Sequence, residues 1–84
     1  MLKILTLNNN HIANFNPCLL KIMHLEFIYL SHNEITKLPE EDWGENNIKI
    51  LDLEANSLYE IPNKVLTDSK VYNLNLKDNH ITKK

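Results

Sequence analysis

Four copies of one pattern, stepped evenly by 23 residues, leave this chain few ways to fold. The segments LKILTLNNNHI (2–12), LEFIYLSHNEI (25–35), IKILDLEANSL (48–58) and VYNLNLKDNHI (71–81) align without a gap. Each follows L-x-x-L-x-L-x-x-N-x-L with aliphatic residues replacing one another, and all twenty pattern positions fit. The asparagines stand at Asn10, Asn33, Asn56 and Asn79. The intervening stretches align as well, with FNP at 15–17, LPE at 38–40 and IPN at 61–63, an apolar residue and then a proline in each. Self-similarity at such a period means one supersecondary unit used repeatedly.

The alternation within each unit says what that unit is. In Leu5-Thr6-Leu7, Ile28-Tyr29-Leu30, Leu51-Asp52-Leu53 and Leu74-Asn75-Leu76 the two apolar residues fall on one face of a short strand. A strand this short cannot bury that face alone, so successive copies must stack. Strands that all run one way need a return path, and such crossovers are right-handed almost without exception. The expected core runs through Leu5, Leu7, Ile12 and Phe15, then Ile28, Leu30, Ile35 and Leu38. It continues through Leu51, Leu53, Leu58 and Ile61 and ends at Leu74, Leu76 and Ile81.

These residues resemble the leucine-rich repeat family over the whole chain. The apolar-proline step is similar to that of the 23-residue class, the Ras-suppressor and Shoc2-like arrays. The resemblance implies an α/β right-handed solenoid, a short arc with a parallel β-sheet on its concave face. Its convex segments are expected to be irregular or briefly helical. Pro17 suits a first helical position ahead of Leu19, Leu20 and Ile22. The run PEEDWGENN, with Gly44 and with Glu45 at an apolar position, reads as irregular, and Trp43 aligns with Leu20 and Leu66 as a convex core plug.

Length and composition set the scale. Eighty-four residues make a single domain, 1–84, divided as repeats 2–24, 25–47 and 48–70 and a partial fourth over 71–84. A chain this size buries only about 60% of the surface its unfolded form exposes, so small losses matter. The net charge is −2, with no basic excess to neutralise phosphates; Lys83 and Lys84 read as a solvated end. A nucleic-acid partner is therefore not expected. No apolar run is long enough to cross a bilayer, and no membrane partner is expected. The single cysteine, Cys18, faces outward in this register as an inert thiol. With no disulfide framework and no signal-like N-terminus, the chain is expected in the cytoplasm, as a piece of an extracellular array otherwise.

No constellation for catalysis emerges. His11 and His80 share a repeat position three repeats apart, roughly 14 Å at about 4.8 Å per strand. His24 and His32 fall in other registers. No ligand spacing joins them, so no metal is expected. One glycine cannot build a phosphate loop, and no cofactor is expected. The chain reads as a non-enzyme.

The functional signal lies in the strand residues that point away from the core. They form columns: Ile4, Phe27, Ile50 and Asn73; then Thr6, Tyr29, Asp52 and Asn75; then Asn8, Ser31, Glu54 and Lys77. Core packing does not account for Ile4, Phe27 and Ile50. With Tyr29 they make an apolar stripe rimmed by Asp52 and Glu54, the composition of a protein-interaction surface. Strand propensity alone also favours Ile, Phe and Tyr there. The expected function is a scaffold-like module that binds a protein partner, as in signalling, on the concave face. The alternative is a structural segment of a longer array. Its uncapped ends, Leu2, Leu5 and Leu7 on one side and Leu74, Leu76 and Ile81 on the other, would then associate end to end. The asparagines at 10, 33, 56 and 79 are expected to form a ladder that satisfies the bend after each strand.

Overall fold

The computed structural model describes residues 3–21, 25–40, 43, 47–67 and 69–81. Four strands, β1 (Ile4–Thr6), β2 (Phe27–Tyr29), β3 (Ile50–Asp52) and β4 (Asn73–Asn75), form one parallel sheet in chain order. The pairing register is one whole repeat: Leu5 opposes Ile28, Ile28 opposes Leu51, and Leu51 opposes Leu74. Any other register would turn the leucines outward, because side chains alternate with a period of two.

Although each strand is only three residues long, the backbone ladder runs past it. Leu7 N–H donates to Tyr29 O at 2.8 Å and Asn9 N–H to Ser31 O at 2.9 Å. The same pair of bonds recurs one repeat later, from Leu30 to Asp52 and from His32 to Glu54. It recurs again from Leu53 to Asn75 and from Ala55 to Lys77. The chain then turns through a left-handed residue at one position of every repeat: Asn9, His32, Ala55 and Asp78, with φ between 57° and 60°. Asn and Asp accept this conformation readily, whereas alanine pays for its Cβ. This position lies outside the apolar pattern of the repeat.

Beneath the sheet, Leu25, Ile28, Leu30 and Ile35 of the second repeat and Ile48, Leu51, Leu53 and Leu58 of the third are fully buried. Each such side chain contributes about 1.5–3 kcal/mol relative to exposure. The rungs on either side, Leu5, Leu7 and Ile12 and then Val71, Leu74, Leu76 and Ile81, pack against this core while only partly buried. That difference follows from geometry, since an inner rung has neighbours above and below.

The return segments close the core. A 3-10 turn, Pro17–Lys21, buries Leu20, and its start is held by Asn16, whose Oδ1 accepts the Cys18 N–H at 3.0 Å. Cys18 itself is exposed. Trp43 is 1% exposed, donates its indole N–H to Pro39 O and meets Phe15 with ring centroids 6.0 Å apart. In the third repeat a short helix α1 (Asn63–Thr67) buries Val65. Leu66, aligned with Leu20 and Trp43 as a core position, is instead 62% exposed. Leu20 and Trp43 each have a further return segment beyond them, whereas Leu66 has none over it among the described residues. Val65, one residue earlier, is the buried residue of this helix. The expected irregular run at Gly44 and Glu45, together with Leu2, Ile22, His24, Lys83 and Lys84, lies outside the described residues.

Candidate protein-binding surface on the open face of the sheet

With the leucines packed beneath, the register sets the remaining strand residues in rows across the opposite face. Ile4, Phe27, Ile50 and Asn73 lie in one row and Thr6, Tyr29, Asp52 and Asn75 in the next. Backbone bonds one residue further place Asn8, Ser31, Glu54 and Lys77 in the third row. Ile4 is 52% exposed, while Phe27, Tyr29 and Ile50 are half-buried by one another and by their neighbours. The apolar row is therefore a partly shielded strip rather than a set of freely standing side chains.

Several polar members of these rows also hold the backbone. Asn8 Oδ1 accepts the Ser31 N–H across the repeat boundary at 2.8 Å. Asp52 Oδ1 accepts the Glu54 N–H, and Asn75 Oδ1 the Lys77 N–H, each at 3.1 Å. Asn75 in turn donates to Glu54 Oε1 at 3.0 Å. Asn8, Asp52 and Asn75 thus fix the strand ends, a use that outward direction alone does not reveal. For Asp52 and Asn75, an Asx-type side chain two residues before an N–H was the available signal; Asn8 bonds across the repeat boundary, which carries no local signal.

A fourth row lies at the strand entry, where the sequence reading assigned no site. Glu26 stands between Lys49, 3.0 Å away, and Lys3, 3.7 Å away. The Lys49 hydrogen bond, opposed by partial burial and aided by Lys3, holds the Glu26 carboxyl below the usual glutamate range. This row ends at Tyr72, 72% exposed, whose N–H donates to Lys49 O. Charge alternation at a 23-residue step was its signal in the sequence. On the opposite rim His11 Nδ1 meets Glu34 Oε2 at 3.1 Å, both well exposed.

Under the third row the four recurring asparagines occupy equivalent places. Asn56 Nδ2 lies within hydrogen-bond reach of Leu53 O in its own repeat, Leu30 O in the repeat before, and Glu54 O. Its Oδ1 accepts the Ile35 N–H. Asn33 makes the same set to Leu30, Leu7, Ser31 and Ile12, and Asn79 to Leu76, Leu53, Lys77 and Leu58. Among the described residues, Asn10 reaches only Leu7 O and Asn8 O. Only an amide, with donor and acceptor on one short stem, serves both needs at once. Asn33 and Asn56 are buried, and Asn10 is exposed.

No group of three metal-ligating side chains occurs among the described residues, and none of their helices is long and apolar enough to cross a membrane.

A parallel sheet in whole-repeat register, tied together by a recurring amide, defines an arc of leucine-rich repeats, and a family model described as Leucine Rich Repeat matches residues 24–45. Among curated proteins, an adenylate cyclase of Schizosaccharomyces pombe is 34% identical over 70 residues, which is 83% of this chain and 4% of that protein. The chain thus spans about 4% of the length of this curated relative. No solved structure matches it significantly.

Proposed function

We propose that this chain is a non-catalytic protein-interaction module that receives a protein partner on the open, concave face of its sheet. The observation that carries this reading is the row of Ile4, Phe27 and Ile50 with Tyr29 beside it. These residues are apolar, lie on the face away from the core, and are bordered by Asp52 and Glu54. Such a strip with a polar margin is the anatomy of a contact surface. Leucine-rich repeats generally serve protein association, and the match to that family supports the same reading. The exposed, unpaired thiol of Cys18 suits the reducing cytoplasm that we assign to it.

The test compares wild type with Phe27→Ala and Tyr29→Ala in quantitative pull-downs, with circular dichroism reporting the fold. Both variants are expected to stay folded and to lose a partner that wild type retains. If they retain every specific partner at wild-type level, the surface lies elsewhere.

A second reading has its own support. The outer rungs Leu5 and Leu7 on one side and Leu74 and Leu76 on the other are half-buried where the inner rungs are fully buried, and the matched relative is far longer. On this reading the chain is a segment of an extended array whose end rungs stack on further rungs. Light scattering across a concentration series separates the two, since a monomer at every concentration counts against stacking between chains.

A further inference from the structure

The open face holds two carboxylates that the protein does not neutralise. Glu26, at the strand entry, is bracketed by Lys3 and Lys49. Asp52 and Glu54 are half-buried too, yet neither forms an ion pair among the described residues. They are not loose, however. Asp52 spends one oxygen on the Glu54 N–H, and Glu54 spends one on the Asn75 amide. Each therefore keeps a second oxygen, that of Asp52 in the row next to Phe27 and Ile50 and that of Glu54 one row further.

Resting on the partner-binding reading above, we propose that this surface takes a polypeptide segment carrying an aliphatic or aromatic side chain about 7 Å from an arginine or lysine. The spacing is that between Ile50 and Asp52, two residues apart on one strand. It matches positions i and i+2 of an extended chain, or about i and i+4 of a helix. The apolar side chain settles on Ile50 and Phe27, and the cation reaches the free oxygens of Asp52 and Glu54. Half-buried and unpaired carboxylates favour a cation over water more than exposed ones do, and a guanidinium has donors enough to reach the remaining oxygen of a carboxylate and a neighbouring acceptor together. The same carboxylates repel phosphate-bearing surfaces, so the complementary partner is a basic peptide and not a nucleic acid or an anionic membrane.

The structure also supplies a clean variant. Asp52→Asn keeps an oxygen for the Glu54 N–H, and Glu54→Gln keeps one for Asn75, so the double variant removes charge while preserving both bonds. The probe is a phage-displayed random peptide library selected on the intact chain, with enriched peptides then synthesised and titrated. Enriched peptides are expected to pair an apolar residue with arginine or lysine two or four positions away. They should weaken about tenfold or more with the double variant and in high salt. Peptides without a basic residue, or ones indifferent to the double variant yet lost with Ile50→Ala, overturn this proposal and leave the partner-binding reading standing. Peptides that bind Ile50→Ala and Phe27→Ala as tightly as wild type count against that reading itself. A selection that enriches nothing over an unrelated bait overturns the proposal as well, because short segments of this chemistry are in the library.

Discussion

Ile35 donates its backbone N–H to the side-chain oxygen of Asn56, 21 residues later, at 3.1 Å in the buried interior. One amide thereby closes a bend that belongs to the previous repeat. Removing it strands the Ile35 N–H and takes one of two amide donors from each of the carbonyls of Leu30 and Leu53, which keep those of Asn33 and Asn79. Each buried group left unsatisfied costs about 1–3 kcal/mol. Asn56→Ala is expected to lose about 3 kcal/mol and Asn10→Ala about 1 kcal/mol, since Asn10 is exposed and bonds only within its own repeat. Urea denaturation checks the ranking, and equal losses at the two positions would refute it.

Ala55 sits at φ 57° where Asn9 and Asp78 hold the equivalent places. An alanine there carries a steric penalty of about 1–2 kcal/mol that glycine avoids, offset in part by the greater freedom of glycine when unfolded. Ala55→Gly is expected to stabilise by about 0.5–1 kcal/mol, or roughly 3–6 °C in a chain of this size. Thermal melts beside an Asn9→Gly control, expected to change little, measure it.

Leu66 and Trp43 occupy the same step of the repeat with opposite exposure. Trp43→Ala is expected to cost about 3–5 kcal/mol, enough to unfold much of a chain this small. Leu66→Ala is expected to cost under about 0.5 kcal/mol. Chemical denaturation of both variants tests the pair.

Glu26, held below the usual carboxylate range by Lys49 and then Lys3, links stability to acidity. Its folded value is lower than its unfolded one, so the contribution is fully present above the unfolded value of about 4.3 and fades as pH falls through the folded value. Glu26→Gln is expected to be less stable than wild type at pH 7, and the gap should narrow as pH falls below the unfolded value of about 4.3. Urea midpoints across that range, repeated in high salt to screen the lysines, would show a constant gap if the linkage is absent.

The fold was legible because one period repeats without a gap. A 23-residue step with leucines on alternate positions admits a single register, and the strands pair Leu5, Ile28, Leu51 and Leu74 accordingly. Less legible was anything set by a side chain bonding back to its own backbone. Asn8 and Asp52 read as outward-facing contacts because alternation gives direction but not hydrogen-bond partners. The Lys3–Glu26–Lys49 row escaped notice because its position lies outside the apolar pattern that defined the repeat. Leu66 read as core because alignment copies a position without copying the neighbour that covers it.

The whole-repeat ladder also governs where this chain can change length. Along each strand and the bend after it, backbone bonds run from one unit to the place one step away in the adjoining unit, so a single inserted residue there shifts the donors of one rung off the acceptors of the next. The bonds that hold the return segments Asn16–Lys21 and Asn63–Thr67 include local ones, from Cys18 and Leu19 N–H to Asn16 and from the Thr67 hydroxyl to Asn63 O. Insertions and deletions should therefore accumulate behind the sheet and be absent from it, while an added unit of 23 residues can enter anywhere along the arc.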